Sequence, residues 1–92
     1  MIATYQVNDR FQLPRLPGVY YFLDRSLKTL YVGKATSLRA RVGSYWLRPL
    51  DGRLTAMLPR IDQIRIHTTD TALEALILEA NEIQRLNPPI NV

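Results

Sequence analysis

The sequence predicts a small α+β domain, a three-stranded antiparallel sheet flanked by helices in the order β-β-α-α-β-α. Three observations carry that reading. Residues 18–23 and 29–32 are short runs dominated by aromatic and β-branched residues, with a polar turn between them. Ile64, Ile66 and Thr68 alternate with Arg65 and His67, the period of a half-buried strand. Residues 71–86 repeat apolar residues at helical spacing between a capping signal and Asn87-Pro88-Pro89. A length of 92 residues suits one domain over residues 1–92, with residues 1–12 as a leading segment.

The elements follow in order. Leu13-Pro14-Arg15-Leu16-Pro17 is extended, because each proline fixes φ and disfavours helix in the residue before it. Val19, Tyr20, Tyr21 and Phe22 make the first strand, Asp24-Arg25-Ser26 the turn, and Thr29 to Val32 the second strand. If the numbers of opposed residues sum to an odd value, Tyr20 shares a face with Tyr31; if even, they face apart. Gly33 ends the strand, and Thr36 or Ser37 caps the next helix, where Leu38, Val42 and Tyr45 share a face. Arg41 lies four residues before Tyr45, within reach of it. Asp51 caps a short helix carrying Leu54, Met57 and Leu58, stopped by Pro59. In the last helix Thr71 and Glu74 fit a capping box, and Leu73, Leu76, Ile77, Ala80 and Ile83 form the apolar stripe, with Glu79 at its edge.

Composition excludes several classes. No cysteine is present, so neither a disulfide framework nor a thiolate zinc site is available. No apolar run approaches the roughly 18 residues that span a bilayer. The first dozen residues contain Asn8, Asp9 and Arg10 and do not read as a signal peptide, so a cytoplasmic location is expected. The net charge is +4, unevenly spread. From Arg25 to Arg65 nine cations face two acids, whereas from Asp70 onward four acids face only Arg85. A cationic segment of that kind suits a polyanion. Ten of the twelve cations are arginines, which can grip a phosphate through two parallel hydrogen bonds.

Gly18-Val19-Tyr20 and Tyr31-Val32-Gly33, with the tyrosines eleven residues apart, resemble the GIY-YIG pair with valine for isoleucine in both halves. The surroundings extend the likeness. Residues 13–22 and 31–35, then Leu38, Arg41, Ser44 and Tyr45, resemble the opening strands and first helix of the N-terminal nuclease modules of UvrC excinucleases, within the GIY-YIG endonuclease superfamily. Residues 74–81 resemble their late helix, and Pro88 with Asn91-Val92 their domain end. The resemblance implies an active site with Tyr20 and Tyr31, with Tyr31 closest to the attacking water. It implies Gly33 and Lys34 after the second strand, Arg41 and Tyr45 on the first helix, Glu79 as ligand to one divalent metal, Mg²⁺ or Mn²⁺, and Asn91 hydrogen-bonded within the site. Ile90 departs from the family, which often has tyrosine there, and Gly43 weakens the first helix.

These residue types make chemical sense together. Phosphodiester hydrolysis needs an aligned water, a route for its proton, and positive charge where negative charge develops. One carboxylate suits a single hydrated Mg²⁺ or Mn²⁺ that takes further ligands from substrate phosphate. Tyr31 is a weak base as a free phenol. Either Lys34, the metal and nearby cations stabilise its phenolate, or a metal-bound hydroxide takes the proton and Tyr31 relays it. Arg41 is the natural clamp on the scissile phosphate. Gly33 lets the backbone approach substrate, and Arg39, Arg48 and Arg53 are further DNA-binding candidates.

Taken singly, each residue has a plainer reading: strand tyrosines pack cores, and Glu79 is a boundary ion-pair former. Trp46 reads as packing beside the first helix rather than stacking on a base, and His67, the one histidine, as surface. The resemblance implies a metal-dependent DNA endonuclease making the 3′ incision of bacterial nucleotide excision repair. It is expected to bind DNA weakly and to rely on a damage-recognition partner, without a small-molecule cofactor or membrane. The alternatives are a stand-alone GIY-YIG nuclease with another structure-specific duty and a catalytically silent nucleic-acid binding module. Retention of Tyr20, Tyr31, Arg41, Glu79 and Asn91 argues against the silent module.

Overall fold

A computed structural model describes residues 1–91. Its elements are β1 (Ile2–Gln6), a 3₁₀ segment (Val7–Gln12), β2 (Gly18–Leu23), β3 (Thr29–Ala35), α1 (Leu38–Ser44), α2 (Gly52–Met57) with a 3₁₀ turn (Leu58–Arg60), β4 (Gln63–Thr68) and α3 (Ala72–Leu86). The α+β class and the antiparallel sheet are as the sequence predicts. The sheet has four strands, in the order β1-β4-β2-β3, rather than three. The extra strand comes from the presumed leading segment. Only Ala3 and Tyr5 of β1 turn inward, too little apolar content to announce a strand; pairing with β4 supplies what the local sequence does not.

β2 lies between β3 and β4, and all six of its residues are buried. Tyr20 opposes Gly33 and Phe22 opposes Tyr31, an odd sum, so Tyr20, Phe22 and Tyr31 share one face of the sheet. That register is closed by the turn. The Asp24 carboxylate accepts from the amides of Ser26 and Lys28, and Leu27 takes a positive φ of 65°.

The two faces have different covers. On the Tyr20 face, Phe22, Ile64 and Ile66 pack with Leu38, Val42 and Tyr45 of α1, with Met57 and with Leu13. The α1 stripe points inward as its spacing predicts. Ser37 is its N-cap, without a side-chain capping bond, and Gly43 leaves open space around itself. Asp51 caps α2 by accepting from the Leu54 amide. On the opposite face Val19, Tyr21, Leu23 and Val32 meet Leu78, Ile83 and Leu86 of α3.

α3 forms where expected but is turned differently. Thr71 Oγ1 accepts from the Glu74 amide, one half of the capping box; the Glu74 carboxylate makes no return bond among the described residues. Ala75 is buried against the sheet, while Leu73, Leu76 and Ile77 are 65%, 46% and 55% exposed. Of the predicted stripe only Ile83 packs on the core; the other four residues face solvent. The small Ala75 brings the helix close, and the Tyr21 hydroxyl donates to Glu82 Oε1 over 2.8 Å. These contacts set the rotation against the apolar moment. Asn87 ends the helix in the left-handed region, and Pro88 follows.

Candidate active site

Strand alternation brings three tyrosines together. Tyr20 projects from the middle of β2 and Tyr31 from β3 at the sheet edge; Tyr45 comes from the turn that closes α1. The Tyr20 and Tyr45 hydroxyls are 2.6 Å apart and buried. The Tyr31 and Tyr45 rings meet edge-on at 6.4 Å between centroids, and Phe22 packs on both at 6.3 and 5.1 Å. Burial, more than any neighbour, pushes all three phenols above their ordinary value. Tyr31 is pushed up to about 12, first by burial, then by Tyr45, with Glu79 adding to the effect and Arg41 opposing it. Tyr31 is therefore within electrostatic reach of both an acid and a cation.

Beside this cluster opens a cleft of about 660 Å³, between the end of β3, α1 and the start of α3. Lys34, Arg41 and Arg48 supply its positive charge, with Thr36, Ser37 and Ser44 as neutral polar groups. Ala72 and Ala75 form its α3 wall. Glu79 is one helical turn beyond Ala75, half-buried, on the side of α3 from which its charge reaches Tyr31. Thr36 and Ser37 stood out only as helix caps and Ser44 only within the resemblance, none of them as a group lining a cleft. Ser37 and Ser44 share helical spacing with Arg41 and Arg48, a signal that becomes readable only once the cleft is known.

Gly33 and Asn91 shape the strand that carries Tyr31. A Cβ on Gly33 would lie 2.2 Å from the Tyr20 hydroxyl and ring, so the missing side chain makes room for Tyr20 rather than for substrate. Gly33 itself is buried. Asn91 accepts from the Val32 amide at 2.7 Å and donates to the Val32 carbonyl at 2.8 Å. Its amide thus satisfies the free edge of β3 as a neighbouring strand would, between Tyr31 and Gly33. Ile90 supports it, buried, with its amide donating to the Leu30 carbonyl.

The outer arginines do not behave alike. Arg48 lines the cleft. Arg39 is half-buried, and its Nε donates to the Leu13 carbonyl over 2.7 Å, tying the proline segment to α1. Arg53 is exposed on α2, outside the residues that line the cleft. Trp46 packs against Phe22 with the Arg10 guanidinium over its ring at 4.3 Å, in agreement with the packing role. His67 is half-buried on the α3 side of β4, away from the tyrosine cluster.

The described residues contain no group of three or more His, Asp or Glu able to hold a metal ion by themselves. Glu79 is thus a lone carboxylate beside a cationic cleft. That donor set fits one hydrated cation completed by substrate oxygens, and does not fit a two-metal centre.

An antiparallel sheet with paired tyrosines on adjacent strands, a helical arginine and a lone glutamate defines a nuclease domain of the GIY-YIG class. Residues 16–92 match the UvrC-like GIY-YIG domain, and the chain belongs to that family. It is 45% identical over 87 residues to UvrABC system protein C of Methanothermobacter thermautotrophicus, across 95% of this chain and 15% of that protein. With the Salinibacter ruber protein of the same name it shares 50% over 82 residues, 87% of this chain and 13% of the relative. The chain therefore spans about one seventh of the length of these relatives. The GIY-YIG N-terminal endonuclease domain of UvrC from Thermotoga maritima, solved with its catalytic magnesium, superposes with a TM-score of 0.82. The two are 33% identical, over 92% of this chain and 93% of that one. A tyrosine-to-phenylalanine variant and an asparagine-to-alanine variant of the Thermotoga domain were also solved with the divalent cation bound. None of the described helices is long and apolar enough to cross a membrane.

Proposed function

We propose that this chain is a divalent-metal-dependent endonuclease that hydrolyses a DNA phosphodiester bond, making the 3′ incision of nucleotide excision repair in the cytoplasm. The placement of Arg41 in the wall of the cationic cleft, with Tyr31 in electrostatic reach of both Arg41 and Glu79, carries this reading. Its support is the family membership and the magnesium held by the Thermotoga domain. Glu79 would hold one Mg²⁺ or Mn²⁺, which when bound supplies positive charge at the scissile phosphate.

The chain's own groups do the rest. Lys34, Arg41 and Arg48 draw the phosphate backbone into the cleft, and Arg41 faces the charge that builds on the phosphoryl oxygens. Burial, Tyr45 and Glu79 raise the Tyr31 phenol above its ordinary value, and Arg41 opposes them. A cation held at Glu79 would offset the raising effect of that carboxylate, so Tyr31 orients the attacking water and either takes its proton as the phenolate or passes it on through its hydroxyl. Tyr20 and Tyr45 hold each other and brace the Tyr31 side of the site. Asn91 fixes the β3 backbone that carries Tyr31. Damage specificity comes from other components of the UvrABC system, since one small cationic face binds DNA with little sequence preference.

Supercoiled plasmid incubated with Mg²⁺ or Mn²⁺ tests this reading. Nicking is expected, and Glu79→Gln or EDTA should lower it by about 100-fold or more. Nicking that survives Glu79→Gln would remove Glu79 from the reaction. Salt-sensitive DNA binding without cleavage in either metal, with damaged duplex and partner proteins present, would favour a silent binding module.

A further inference from the structure

The outward face of α3 is not used by the nuclease reading. Leu73, Leu76 and Ile77, with Ala80, fall at helical spacing and all point to solvent. An apolar stripe of this kind on a small domain marks an interaction surface. Its N-terminal end is acidic, and the one cation of α3, Arg85, lies three turns away and is held by Glu82. Asp70 and Glu74 are exposed beside Leu73 and Ile77, and among the described residues neither carboxylate has an ion-pair partner.

Those charges select the occupant. DNA is repelled by the two carboxylates and finds no hydrogen-bond donor among aliphatic side chains. A helix that lies on an anionic membrane needs a Lys- or Arg-rich border, the reverse of this one. A second copy of the chain, laid face to face, cannot neutralise the border either. The only cation from Asp70 onward is Arg85, and Glu82 already holds it, with Nε–Oε2 at 2.6 Å and Nη2–Oε1 at 2.9 Å. What remains is a protein helix with its own aliphatic ridge and a basic flank, laid along α3. We propose that the exposed face of α3, centred on Leu73, Leu76 and Ile77 with Asp70 and Glu74 at its border, docks such a basic amphipathic helix of a partner protein.

The position has a consequence for the active site. Leu76 lies one turn from Glu79, and Ala72 lines the cleft. A helix seated on this face would therefore lie beside the cleft mouth without covering Tyr31, which packs on the face of the sheet opposite to α3.

The test uses this 92-residue chain and two synthetic helical peptides of about 18 residues, long enough to hold helix. Both carry leucines at i, i+3, i+4 and i+7; one has lysines along one flank, the other glutamates. Calorimetry or fluorescence anisotropy is expected to show the lysine peptide binding at least about tenfold more tightly. That preference should vanish in Asp70→Asn/Glu74→Gln, and binding of both should vanish in Leu73→Ser/Ile77→Ser. The single variant Ile77→Ser serves if the double variant fails to fold, as read by circular dichroism. Equal binding of the two peptides, binding unaffected by Leu73→Ser/Ile77→Ser, or no binding at all would overturn the proposal. So would self-association in sedimentation that Leu73→Ser/Ile77→Ser abolishes, which would assign the face to a second copy. Plasmid nicking by Leu73→Ser/Ile77→Ser should remain unchanged, so failure here is distinct from failure of the nuclease reading.

Discussion

Tyr20 and Tyr21 are neighbours in the chain, both almost wholly buried, and they end on opposite faces of the same strand. Tyr20 meets another hydroxyl, Tyr45, and stands near the Arg41 guanidinium, whose charge favours its ionised form. Tyr21 donates to a carboxylate, Glu82, which together with burial holds its proton in place. Glu82 is in turn kept below the usual carboxylate range, first by Arg85. One tyrosine thus belongs to a cluster that adjoins a cationic cleft, the other to a hydrogen-bonded chain that ends on the exposed Arg85. The same residue type in the same strand is given a hydroxyl and a cation on one side and a carboxylate on the other by what covers each face of the sheet.

That contrast can be broken most severely at Gly33. Gly33→Ala places a methyl group against the Tyr20 ring, and it should cost about 3 kcal/mol of stability by overpacking. Denaturant unfolding would read that loss, with nicking abolished alongside it. A fully stable and active Gly33→Ala would show that Tyr20 has room to move.

A matched pair of phenylalanine variants sharpens the comparison. Tyr31→Phe should lower the nicking rate by about 100-fold, the usual size of a lost proton-transfer group, with the unfolding midpoint nearly unchanged. Tyr21→Phe should do the reverse. It removes a hydrogen bond to a charged acceptor and should cost about 1.5 kcal/mol while nicking continues. If Tyr21→Phe instead stops nicking, the α3 face of the sheet takes part in catalysis.

The smallest effect is a pH dependence common to both faces. Tyr20, Tyr21, Tyr31 and Tyr45 all hold their protons more tightly in the folded chain. Their contribution to stability is complete below about pH 10, the value of unfolded tyrosine, and is lost as pH rises above it. The denaturant midpoint should therefore fall above about pH 10, alongside tyrosinate absorbance. Glu82 has the opposite sign: its pairing stabilises above the usual carboxylate pKa and is lost as pH falls. A midpoint that stays flat through about pH 11 would show that the phenols are less desolvated than their burial implies.

Much of the architecture was legible from local pattern. The hairpin, α1 with its inward Leu38, Val42 and Tyr45, the Asp51 cap and both ends of α3 follow from periodicity and capping chemistry. The candidate site residues stood out mainly as a spaced set, since none of them is diagnostic alone. β1 was not legible, because Ala3 and Tyr5 bury too little to declare a strand. The sequence shows the charge of Arg39 but not the Leu13 carbonyl that its Nε meets.

By itself, then, the sequence determined three of the four strands and the helices, where charge accumulates, and which tyrosines, arginine and glutamate recur at meaningful spacing. Tertiary structure decided the rest. It chose the odd register that puts Tyr20 beside Tyr31, turned Gly33 into a seat for the Tyr20 ring, and made Asn91 a substitute strand for the β3 edge. It also rotated α3 so that Ala75 and Glu82 face the sheet while Leu73, Leu76 and Ile77 face outward. Periodicity specifies that a helix has an apolar side; close packing at Ala75 and the partly buried Tyr21–Glu82 hydrogen bond specify which side meets the sheet.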